Sequence, residues 1–94
     1  MILVNERFIS ADHIEHIYIE PLRTQGHHAV IVQLSGSAAI FGRHDFLTLQ
    51  MAFELRRRIV KAIVKYKSSD SPEIQHVELP TYQEVHPEAE NEKS

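Results

Sequence analysis

Residues 48–67, Thr-Leu-Gln-Met-Ala-Phe-Glu-Leu-Arg-Arg-Arg-Ile-Val-Lys-Ala-Ile-Val-Lys-Tyr-Lys, decide how this chain folds. At 100° per residue, Met51, Ala52, Phe53, Leu55, Ile59, Val60, Ala62, Ile63, Val64 and Tyr66 form one continuous apolar arc of about 220°. Gln50, Glu54, Arg57, Arg58, Lys61 and Lys65 take the rest, and Arg56 sits inside the arc. The period predicts one helix from Asp45 or Thr48 to Lys67. A helix lying on a single sheet needs an apolar stripe of roughly 100° or somewhat more, so this one is wider than one packing partner requires. Two explanations stand side by side: the helix ends are covered by the tail or the first hairpin, or a second subunit supplies another apolar contact. The second makes Phe53, Val60 and Val64 candidate oligomer-interface residues.

Upstream, the period changes from 3.6 to 2. In HHAVIVQL, residues 27–34, His28, Val30, Val32 and Leu34 fall on one strand face and Ala29, Ile31 and Gln33 on the other. Ser35-Gly36 signals a two-residue hairpin turn, with Ser37 to Phe41 returning as the next strand and Gly42 closing the sheet region. Met1 to Val4 and Arg7 to Ser10 flank Asn5-Glu6, a weaker turn signal than Asn-Gly. Ser10 to Asp12 offers capping side chains for one helical turn, and the strand around His16 to Ile19 ends at Pro21, which cannot donate to a ladder. Downstream, Ser68 to Pro72 stops the helix. The expected fold is α+β, an antiparallel β-meander of four to five strands packed against one long C-terminal α-helix. Residues 1–67 form the domain, 68–80 a linker with an edge strand, and 81–94 an acidic disordered tail.

Composition narrows the function classes. Ninety-four residues make one domain with a modest core, a size at which association is a common supplement to stability. No apolar run reaches the roughly 20 residues that span a bilayer, and the mean hydropathy is −0.27, so no membrane role is expected. The chain has no cysteine, which removes disulfides, thiolate metal sites and cysteine nucleophiles and suits a cytoplasmic setting. Three scattered glycines make no phosphate loop or dinucleotide fingerprint, and there is no nucleophile elbow. No catalytic residue and no cofactor are expected.

The net charge of −3 conceals an uneven layout: residues 1–42 carry −2, residues 43–67 carry +5 and residues 68–94 carry −6. Arg57, Lys61 and Lys65 share one helical stripe with Arg58 beside it, a candidate contact for nucleic acid or another anion. Against that reading, no aromatic residue is interleaved with these cations and the chain is acidic overall; a basic second half also suits the helix dipole without any partner. The acidic tail could screen the helix or meet the basic helix of a second chain, although exposed charges are screened within about 8 Å at physiological salt.

Seven histidines supply the remaining candidates. In Ser10 to Glu20, Asp12, His13 and His16 form a metal site if residues 13 and 16 share a helical face, and no site if they lie on a strand, where they point apart. Ile17 and Ile19 favour the strand. Three function classes follow. The leading one is a non-catalytic interaction or regulatory module, homodimeric through the apolar face of the helix. The alternatives are a nucleic-acid binder using Arg57, Arg58, Lys61 and Lys65, and a histidine metal binder at Asp12, His13 and His16.

Overall fold

The structure, a computed structural model, describes residues 1–42, 47–68 and 73–86. The expected rod is one unbroken helix, α1, Leu49–Ser68. Thr48 starts it: its Oγ1 accepts the Met51 N–H at 3.2 Å and its carbonyl accepts the Ala52 N–H at 2.9 Å. A side-chain oxygen at this position satisfies one of the N–H groups that a helix start leaves unpaired. Lys65 and Lys67 occupy the last turn, where the helix dipole favours cations. Met51, Ala52, Leu55, Ile59 and Ala62 are buried, the i, i+1, i+4, i+8, i+11 spacing of one helix face.

That face meets strands from two sheets, three strands in each. The first sheet begins with the hairpin of β1, Ile2–Val4, and β2, Arg7–Ile9. Asn5 and Glu6 form the turn with φ of 44° and 68°, the two positive values a tight two-residue hairpin demands. The register pairs Ile2 with Ile9, so Ile2, Val4 and Ile9 are buried together while Phe8 faces outward.

The second sheet is the meander. A 3₁₀ turn, Ala11–His13, leads into β3, Ile14–Pro21, followed by β4, His28–Leu34, and β5, Ser37–Phe41. Its antiparallel register aligns Ile19, Val30 and Phe41 in one row and Ile17, Val32 and Ala39 in the next, all toward α1. The opposite face carries Tyr18, Ile31 and Ile40 side by side. A register shift between Ile14 and His16 sets Glu15 in a bulge. At the exit from β5, Gly42 has φ of +110° and a Cβ there would lie 2.6 Å from the His28 carbonyl oxygen, so only glycine fits. Leu47 re-enters beside the same place, its carbonyl accepting the His28 N–H at 2.8 Å.

After α1 the chain returns to the first sheet. β6, Gln75–Val77, pairs in parallel with β1, placing Val77 beside Val4. Thus the strands expected as a single meander divide between two sheets, and the edge strand anticipated after the helix completes the first. Within the stretch expected as an acidic tail, Tyr82–Val85 forms a short helix, α2, capped by Thr81, whose Oγ1 accepts the Glu84 N–H. Residues 87–94 of that stretch lie outside the described residues.

Candidate interaction surface

The helix is apolar on two flanks, and the fold covers only one. Phe53, Val60 and Val64 are 45%, 44% and 61% exposed, and Leu49 extends the same outer stripe toward the helix start. These positions repeat at 4, 7 and 4 residues, the spacing of a seam between two helices. Phe53, Val60, Arg56, Arg57 and Lys61 line an open depression of about 610 Å³ on this flank. Arg56 accounts for its own place in the apolar arc. Its guanidinium lies 5.2 Å from the centroid of the Phe53 ring, so the stem runs over apolar surface while the charge stays wet.

The basic flank is partly neutralised from within. Glu54 accepts from Arg57 Nη2 at 2.7 Å and Nε at 2.9 Å, and from Arg58 Nε at 3.0 Å. The fork of Arg57 holds the Glu54 carboxyl far below its ordinary range, to about 2, with burial opposing and Arg58 adding to the effect. Arg58 reaches further, pairing with Glu84 on α2 and donating to the Glu78 carbonyl at 3.1 Å. Burial works against the charge of Arg58, yet its hydrogen bonds to Glu84 and Glu54 outweigh that and raise its pKa. The start of the helix is tied to α2 as well. His86 Nε2 lies 3.1 Å from Thr48 Oγ1, and the His86 ring stacks on Tyr82 with centroids 4.2 Å apart.

Of the four candidate anion contacts, then, Arg57 and Arg58 are engaged by carboxylates, whereas Lys61 and Lys65 make no ion pair among the described residues. The candidate metal ligands do not converge. Asp12 and His13 lie in the 3₁₀ turn, His16 lies past the bulge on β3, and all three are exposed. Among the described residues no three His, Cys, Asp or Glu side chains form a group that could hold a metal ion. Glu15, in the bulge, instead accepts from the Ser35 hydroxyl at 3.2 Å. The ion pair between Arg58 and Glu84 was hidden from sequence reasoning, since 26 residues separate the partners. Also among the described residues, no helix is long and apolar enough to cross a membrane.

Comparison with protein-family models, with curated proteins and with solved structures gives no match for this chain. The reading of function therefore rests on the surface itself.

Proposed function

We propose that this chain is a small non-catalytic interaction module that self-associates through the outer stripe of α1. The observation that carries this reading is the half-exposed set Phe53, Val60 and Val64, aligned on a rigid helix whose other flank is fully packed. In an antiparallel pairing of two such helices, Phe53 of one copy falls opposite Val64 of the other, and Val60 rests against the stem of Arg57. Magnitudes set the strength. Full burial of a Val or Phe side chain contributes about 1.5–3 kcal/mol, so three residues already half covered offer about 1 kcal/mol each, or on the order of 6 kcal/mol for two copies. Association costs at least about 4 kcal/mol. The surplus of about 2 kcal/mol corresponds to a weak dimer with a dissociation constant on the order of tens of millimolar, a minor population at millimolar protein. Such a surface exchanges readily and leaves the stripe open to a regulatory partner.

The rim of Arg56, Arg57 and Lys61 brings like charges together across this pairing, so screening by salt strengthens it. The nucleic-acid reading predicts the reverse, because counterion release weakens contacts to phosphate as salt rises. A dilution series of amide spectra at two salt concentrations tests the proposal. Signals of Leu49, Phe53, Val60 and Val64 shift with protein concentration, more strongly at high salt, while those of Leu55 and Ile59 stay fixed. Concentration-independent spectra at millimolar protein would remove the self-association reading.

A further inference from the structure

The fold divides the basic stripe of α1. Its first half, Arg57 and Arg58, is matched to Glu54 and Glu84. Its second half, Lys61 and Lys65, meets residues that the sequence places far away. β6 sets His76 and Gln75 across from the two lysines, and together they line a concavity of about 320 Å³ between α1 and β6. Arg57 and Arg58 also reach its wall, and Glu78 is the one carboxylate there. We infer that this cleft is a binding site for a compact phosphate-bearing anion of the pyrophosphate type. It goes beyond the self-association reading and does not depend on it.

Three features carry the assignment. Charge is the first: beyond Arg57 and Arg58, which Glu54 and Glu84 already engage, Lys61 and Lys65 face the one carboxylate of Glu78 in a chain whose net charge is −3. Donor geometry is the second. Lys61 and Lys65, one helical turn apart, border the cleft from α1, and Gln75 and His76, side chains able to donate hydrogen bonds, border it from β6. The Gln75 amide makes only a long contact of 3.4 Å to the Glu73 carbonyl, so turning toward a ligand forfeits little. Size and surroundings are the third. The volume lies at the lower end for small-molecule sites. No Phe, Tyr or Trp ring lines the cleft to stack a base, and Glu54, Glu78 and Glu84 would meet a polyanion running on from it. A short phosphate chain fits where a nucleic-acid strand does not.

The test uses the full chain, titrated with sodium pyrophosphate and with orthophosphate at ionic strength matched by chloride, and read by amide and side-chain spectra. Saturable shifts at Lys61, Lys65, Gln75 and His76, with pyrophosphate binding more tightly than orthophosphate, support the site. K61Q/K65Q removes two charge-assisted hydrogen bonds and should weaken pyrophosphate binding at least about tenfold. E78Q should tighten it. Shifts spread over exposed cations throughout the chain, or equal affinity in K61Q/K65Q, would overturn the assignment. So would equal binding of citrate, which would deny phosphate selectivity, or tighter binding of a single-stranded oligonucleotide. V60K, which adds a like charge opposite Arg57 of a second copy, separates this site from the outer stripe: it should abolish concentration-dependent shifts without weakening the pyrophosphate response, whereas loss of that response would overturn a site complete within one copy.

Discussion

The two apolar flanks of α1 are built from the same residue types and end in opposite circumstances. Leu55 and Ile59 are 0% exposed, locked between the rows Ile19–Val30–Phe41 and Ile17–Val32–Ala39 and the hairpin residues Ile2 and Val4. Phe53 and Val60, each within two residues of them in sequence, stand about half in water. Hydrophobicity alone therefore does not report what a residue does here. The inner flank specifies the fold, and the outer flank is surplus to it.

This contrast can be broken most severely by trading side chains for cavities. Leu55→Ala or Ile59→Ala should lower the unfolding free energy by about 2–5 kcal/mol, whereas Val60→Ala should change it by under about 0.5 kcal/mol. Urea denaturation of the three variants checks this. Comparable losses at Val60 and Ile59 would mean that the outer stripe is core in solution.

A smaller effect sits at the helix start. Thr48→Ala removes both the cap on Met51 and the contact to His86, and should cost about 1 kcal/mol in thermal or urea unfolding. Because His86 belongs to the α2 segment, the same variant should also loosen that segment, measurable as faster amide exchange at Val85 and His86.

The charged flank sharpens the comparison through pH. Glu54 has its pKa depressed from 4.5 to about 2 by Arg57 and Arg58. A depressed carboxylate adds stability that is complete above the unfolded value, and that stability fades as the pH falls from about 4.5 through about 2. Glu54→Gln should flatten that part of the stability profile while leaving the profile above pH 5 parallel to the parent. An unchanged acid limb in Glu54→Gln would show that the pair is too well screened to matter.

The smallest effect is in the first turn. Glu6 has φ of 68°, which an L side chain tolerates poorly, so Glu6→Gly creates the favoured Asn-Gly hairpin and should raise stability by about 0.5 kcal/mol. A loss instead would mean that the greater freedom of glycine in the unfolded chain outweighs the strain relieved.

What the sequence made legible follows from the range of the signal. Periods of 3.6 and 2 and the Ser35-Gly36 turn act within a few residues, and they yield the helix and the β4–β5 hairpin with their facing residues. The parallel pairing of β6 with β1 joins residues 75–77 to residues 2–4 and leaves no local trace in Gln-His-Val. For the same reason a run of three arginines reads as free charge until Glu84 is brought alongside, and His76 looks unrelated to Lys61 and Lys65 until β6 is in place. The outer stripe was legible as an excess of apolar arc, because arc width is a property of the helix alone. Asp12, His13 and His16 were ambiguous because the answer depended on where a turn becomes a strand, and that boundary falls between His13 and Ile14.

The central claim, that the outer flank of α1 is a contact surface for a second copy, is tested most directly by sedimentation velocity of the parent chain and of V60K up to millimolar concentration. The account predicts a weight-average mass that rises by several per cent above the monomer at millimolar protein in the parent, more in high salt, and stays monomeric in V60K with unchanged unfolding. A parent chain that remains monomeric throughout, or a V60K variant that associates as the parent does, would contradict it.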